Sequence, residues 1–176
     1  MRSHLVLSGG LILLASMASQ ANAVDIPKRK SGLWEMTMTT ESKNMPNGKP
    51  MVMQTCIDEK TDDLTRQQGE SMTKEMCSKT DISTQGSNLV VDSVCKFGES
   101  KVSSHAVMVG DYKSGYTMTS QSTYSPPMMG MTESITKVDA KWMGPCLPGQ
   151  KPGDVIMKGM PNMPKMNLNE LQKLKK

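Results

Sequence analysis

The sequence predicts a mainly β protein: an antiparallel meander forming a curved sheet or partly closed barrel, with one helical excursion and a short C-terminal helix. Three observations predict it. Polar and apolar residues alternate with the period of two expected of a half-buried strand, most clearly where Trp34, Met36 and Met38 interleave with Glu35, Thr37 and Thr39. Gly86, Gly98, Gly110, Gly115 and Gly130 punctuate later segments at the spacing of a meander. Those later segments are rich in Ser and Thr, which leaves at least one sheet surface to water, as antiparallel sheets allow.

Taken in order, the chain opens with Arg2, an apolar run from Leu5 to Ala15 and the small-residue exit Ala21-Asn22-Ala23. This predicts a signal peptide over residues 1–23, its apolar run too short to remain as a membrane span. No cysteine follows the cleavage point to receive a lipid, so the expectation is a soluble exported protein with no transmembrane segment after cleavage. A β-rich domain is expected over 24–155 and a Met/Pro-rich tail over 156–176. Leu33 to Thr40 and Met51 to Cys56 form a first hairpin around the turn material Asn44-Met45-Pro46-Asn47-Gly48.

Thr61 then caps a helix whose first turn carries Asp62 and Asp63, acids suited to the positive end of the helix dipole. Gly69 is expected to interrupt it before a second short turn at Met72 and Met76. Strands follow at Ser78 to Thr84, Leu89 to Phe97, Lys101 to Val109, Tyr116 to Tyr124 and Met131 to Trp142. The Pro- and Gly-rich stretch from Gly144 to Asp154 cannot join a central strand and is expected to wrap an edge, pinned by Cys146. In the tail, Asn167 and Glu170 resemble a capping box for a short helix with Leu168, Leu171 and Leu174 on one stripe.

Composition narrows the function classes. With 21 basic against 17 acidic residues the chain is only weakly cationic, and the cluster Lys165, Lys173, Lys175 and Lys176 reads as a solvated terminus, so no nucleic-acid partner is assigned. Methionine is the unusual quantity, at 19 residues, while aromatic residues are scarce. A core of flexible thioethers specifies shape loosely, and extra constraint is expected from covalent links. Cys56, Cys77, Cys95 and Cys146 supply an even number in an exported chain, which predicts two disulfides. No Cys-x-x-Cys is present, so a thioredoxin-type centre and a zinc knuckle are both disfavoured. The favoured pairing is Cys56 with Cys77 and Cys95 with Cys146; the competing pair, Cys77 with Cys95, follows if a hairpin turns about Gly86.

Gly32-Leu33-Trp34-Glu35, the three cysteines Cys56, Cys77 and Cys95, and the closing Trp142-Met143-Gly144-Pro145-Cys146 together resemble the domain-of-unknown-function 3617 family. The resemblance runs from about Lys30 to about Leu171 and takes in Lys151-Pro152-Gly153-Asp154. Members commonly read Lys-Pro-Gly-Leu-Trp-Glu at the first strand, where this chain has Ser31 in place of the proline. The resemblance implies a small exported protein of proteobacterial type with a periplasmic address. It carries no activity and no catalytic residues.

The sharpest chemistry is soft-metal binding. Met36 and Met38 share a face of the first strand, Met51 and Met53 a face of the second, and one antiparallel register sets Met36 opposite Met53 and Met38 opposite Met51. Thioethers so placed suit Cu(I), although core packing explains the same residues. Met128, Met129 and Met131, and the series Met157, Met160, Met163 and Met166, fall in turn or tail sequence, where exposed sulfur would bind copper or scavenge oxidant. His105 is the single histidine beyond the leader, and neither a Gly-x-Ser-x-Gly elbow nor a His-Glu-x-x-His helix accompanies it. The acids Asp58, Glu59, Asp62 and Asp63 are explained by the helix start. The sequence therefore reads as a non-enzymatic periplasmic binding or accessory protein, engaging a small ligand or an envelope protein; the alternative is a Met-rich Cu(I)-binding or oxidant-buffering protein. A cavity by the sheet favours the first, converging thioethers the second, and polar groups gathered round His105 would favour an enzyme.

Overall fold

The computed structural model describes residues 24, 26–43, 48–159 and 166–173. The expected signal peptide, the first hairpin's turn at 44–47, Met160, Met163 and the basic residues Lys165, Lys175 and Lys176 lie outside these. Nine strands form one open antiparallel sheet: β1 (Gly32–Glu41), β2 (Met51–Ile57), β3 (Cys77–Gln85), β4 (Asn88–Phe97), β5 (Ser100–Gly110), β6 (Gly115–Met128), β7 (Met131–Gly144), β8 (Asp154–Lys158) and β9 (Met166–Asn167). Helix α1 (Glu59–Met76) lies between β2 and β3, and α2 (Leu168–Lys173) follows β9. The strand order is β3-β4-β5-β6-β7-β1-β2-β8-β9. The meander β3 to β7 is thus joined to the first hairpin through β1, which pairs with β2 on one side and β7 on the other.

The core sits at that junction. Trp34, Ile57 and Ala140 are fully buried, with Met36, Tyr116 and Trp142 packed against them. Trp34 Nε1 donates to the Lys30 carbonyl at 2.7 Å and Trp142 Nε1 to the Ser31 carbonyl at 3.0 Å, so both indoles grip the segment leading into β1. The Lys30 ammonium stands 3.5 Å from the Trp142 ring centroid, a cation–π contact on the same segment. Gly32 adopts φ +133°, and a Cβ there would overlap the Gly144 carbonyl and the Trp142 indole nitrogen. Beside it the β1–β7 register shifts between Leu33 and Trp34, a bulge that turns the strand at the point of closest approach. Gly-Leu-Trp-Glu is therefore a packing motif whose glycine is required sterically.

Helix α1 begins earlier than the sequence suggests. Asp58 caps it, its carboxylate accepting from the Thr61 amide at 2.8 Å while the Thr61 hydroxyl accepts from the Asp58 amide at 2.8 Å. Thr61 is the third residue of the helix and not its cap, because Asp58 supplies the stronger acceptor one turn upstream. Asp62 is buried against Arg29, which donates to it from Nε at 2.8 Å and from its backbone amide at 3.0 Å. Gly69 does not interrupt the helix, which runs 18 residues without a break. A single interior glycine costs only about 1 kcal/mol relative to alanine, too little to end a helix supported at both ends.

The unbroken helix corrects the favoured disulfide pairing. Eighteen residues rise about 27 Å, which carries Cys77 far from Cys56 to the opposite end of the sheet. Cys77 instead starts β3 opposite Cys95 and bonds to it, as the hairpin about Gly86 requires. Cys56 bonds to Cys146, with Cα atoms 5.4 Å apart. Leu33 explains the second link: it pairs with Cys56 on one flank and Gly144 on the other, so Cys146, two residues on, crosses the end of β1.

The expected tail also differs. Residues from Asp154 onward add β8 to β2 and then β9, extending the sheet. The turn before them is held by the Gly153 amide bonded to the Cys56 carbonyl at 2.8 Å, and by Asp154, which accepts from the Lys151 amide at 2.6 Å and from Asn167 Nδ2 at 2.9 Å. Asn167 does cap α2, accepting from the Asn169 amide at 3.0 Å. At the other edge β3 is exposed along almost its whole length. No helix among the described residues is long and apolar enough to cross a membrane.

Proteolytic mapping without reductant yields Cys56–Cys146 and Cys77–Cys95 cross-linked peptides. Removing the first bridge by paired Ala substitution destabilises more than removing the second, since it closes a separation of 90 residues against 18, about 4.5 against about 3 kcal/mol on the chain-entropy estimate. Gly32→Ala, which sets a side chain against backbone at positive φ, lowers stability by about 3 kcal/mol or prevents folding, measured by urea unfolding.

Candidate functional site

Residues directly opposite one another in an antiparallel ladder share a face, so the registers sort the side chains into two surfaces. On one surface Met108, Met118, Val138, Met38 and Met51 form a row across β5, β6, β7, β1 and β2. The next row is Tyr116, Ala140, Met36, Met53 and Met157. Further along, this face turns to hydroxyls: Ser104 and Ser122 share a hydrogen bond of 2.8 Å, as do Tyr124 and Ser134. On β6 the residues of this face are half-buried while those of the other, Thr117, Thr119, Gln121 and Thr123, are exposed.

The methionine register is the one the spacing predicts, with Met36 opposite Met53 and Met38 opposite Met51. The four sulfurs do not all face one another. Met36 accepts a weak hydrogen bond from Tyr116 Oη at 3.7 Å, which leans it across Ala140 and away from β2. Met38 and Met51 are 36% and 40% exposed, and Met53 is half-buried. Of the other methionines, Met128 belongs to β6, which continues through Pro126 and Pro127 instead of turning there. Met129 is exposed at the following turn, Met157 lies in β8 and Met166 in β9.

The opposite surface is charged, and it holds a cavity of about 820 Å³. Two rows of side chains wall it. Asp92, His105, Gln121, Ile135 and Glu41 form one across β4, β5, β6, β7 and β1; Val94, Ser103, Thr123 and Glu133 form the second, extended by Lys79 and Lys43. The small residues between the rows, Ser93, Ser104, Ser122 and Ser134, leave a backbone floor. His105 Nδ1 and Asp92 Oδ1 are 2.7 Å apart, and both side chains are about half exposed. Lys43 pairs with Glu133, and Lys137 with Glu41 at 3.1 Å, along the same side. The Lys43 ammonium is held above its ordinary value by the hydrogen bond to Glu133, and that of Lys79 by Asp81.

Sequence reasoning singled out His105 but not its partner. The signal was present: a hairpin turning between Phe97 and Ser100 sets Asp92 opposite His105 by count alone. The acids at 58, 59, 62 and 63 serve the helix start and stand apart from this cavity. Among the described residues no group of three or more His, Cys, Asp or Glu side chains is placed to hold a metal ion.

Four carboxylates are held below their usual range, among them Asp63 through hydrogen bonds from Arg66 and Lys28. Glu35 is lowered by hydrogen bonds from Lys158 and Gln54, Asp58 by those from Thr61, and Asp111 by those from Ser114, Lys113 and Gly115 at the β5–β6 turn. A carboxylate with a depressed folded value contributes stability at neutral pH that disappears as pH falls through that value. The oxidised protein is therefore expected to keep its melting temperature from neutrality to about pH 5 and lose it progressively below about pH 4. Glu35→Gln flattens that acid limb when followed by circular dichroism.

No curated protein and no solved structure matches the chain. A family described as "Protein of unknown function (DUF3617)" matches residues 29–146, the span holding β1 to β7, both disulfides and the two tryptophans that clasp the junction. The chain belongs to that family.

Proposed function

We propose that this is an exported, periplasmic, non-enzymatic binding protein of the cell envelope, and that its ligand lies in the cavity over His105. The observation that carries the reading is a cavity of about 820 Å³, within the size range of small-molecule sites, lined by side chains of six strands, β1 and β3 to β7, over a floor of backbone. Val94, Ile135 and the aliphatic stems of Lys43 and Lys79 offer apolar area, while His105, Gln121 and Glu133 offer hydrogen bonds. That combination suits a small amphiphile with a polar head. Export agrees with the two disulfides, which persist in oxidising compartments, and with the leader read from the sequence.

Polar groups do gather round His105, as an enzyme would require. The binding reading is preferred because the imidazole and Asp92 both stand half in water. The bonded hydroxyl pairs, Ser104 with Ser122 and Tyr124 with Ser134, belong to the opposite face and give His105 no oriented nucleophile.

Anilinonaphthalene sulfonate, an amphiphilic dye, tests the site. Saturable fluorescence enhancement is expected from the wild type and not from Gln121→Trp, whose indole fills the cavity from an exposed strand position. Equal dye binding by both proteins overturns the assignment. Turnover of an activated ester is expected to be the same for wild type and His105→Gln, and a clear drop in the variant would reassign the protein as an enzyme.

A further inference from the structure

We infer a second site, on the sheet face opposite the cavity, where Met38, Met51 and Met53 bind Cu(I). The register puts Met38 and Met51 directly opposite each other, with Met53 two residues along the same strand face. Directly opposed Cβ atoms lie about 5 Å apart and same-face neighbours along a strand about 7 Å, so the three Cβ atoms bound a small triangle. Each sulfur stands two bonds beyond its Cβ on an unbranched chain, which lets all three tips converge over that triangle without moving the backbone.

Burial separates Met38 and Met51 from the rest of the methionine face. Met38 and Met51 are 36% and 40% exposed, at or above the exposure of every other methionine in the sheet interior rows, so an ion reaches them from water. Met53 is half-buried beneath them and flanked by Met157 on β8. Met36, the fourth residue of the hairpin's methionine set, is turned to the Tyr116 hydroxyl and left out. Both contributing strands are central, and the Cys56–Cys146 link fixes the far end of the hairpin, so the triangle is held before any ion arrives.

The donor set decides the ion. Thioethers are neutral and soft, which selects Cu(I) over hard or borderline cations, and no charged ligand is needed for a monovalent ion at a surface open to water. Binding involves no change of oxidation state and releases no proton, so affinity is independent of pH across the range in which the protein stays folded.

Cu(I) added anaerobically to the protein with its disulfides intact, against bicinchoninate as competitor, tests the inference, with methionine methyl resonances followed by NMR. One copper per chain is expected to leave the chelator, and the methyl shifts to fall on Met38, Met51 and Met53. The triple substitution of these residues by Leu preserves volume and is expected to abolish the withdrawal while leaving the circular dichroism spectrum unchanged. Absence of withdrawal by the wild type overturns the inference. So do shifts confined to Met128, Met129 and Met131, or copper retained by the folded triple variant. Dye binding at the His105 cavity is read separately and is unaffected by either result.

Discussion

The close crossing of the β1 and β7 ends is the constraint on which the architecture depends. At Gly32 the β1 backbone passes the Gly144 carbonyl with no room for a side chain, and Trp34 and Trp142 each bond the segment ahead of Gly32. Cys56 and Cys146 then tie the strands on either side of β1. Without this junction the first hairpin would be separated from the five-strand meander, and a two-stranded hairpin is marginal in water by itself. Ten hydrophobic residues are buried among those described, and the cluster at the junction is a tryptophan, an isoleucine and an alanine with their neighbours. Such a core relies on geometry and covalent links more than on area.

Much of this was legible in the sequence, for a physical reason that differs from element to element. The strands were legible because their alternation has the period of the pleat, and the Met36–Met53 register because both sides of the hairpin alternate in phase. The helix boundaries were not, since Asp58 and Thr61 both carry capping side chains and they bond each other reciprocally, as cap and third residue. The disulfide pairing failed through the same cause as the supposed break at Gly69: two short turns would have left Cys77 near Cys56, whereas one straight helix cannot. Strands β8 and β9 were hidden because Pro and Gly before them, and Asn and Pro between them, mask short pairing segments in sequence that otherwise reads as a tail.

The two candidate sites divide the sheet by chemistry. One face collects thioethers and paired hydroxyls and stays half-covered; the other collects opposite charges and stays wet. Period-two alternation alone produces this division, and the same strand serves both faces: β1 contributes Met38 to one and Glu41 to the other. The residues of the junction, Gly32, Trp34, Trp142 and Gly144, lie apart from both sites.

An open sheet has a hazard that a closed barrel lacks. β3 is an edge strand exposed along almost all of its nine residues, a ready template for another chain. Lys79 and Asp81 put charge on that strand, and Cys77–Cys95 rivets its first residue to its neighbour. The smaller disulfide thus holds the edge strand to the sheet at its first residue, and breaking it would let β3 fray from β4 at that end.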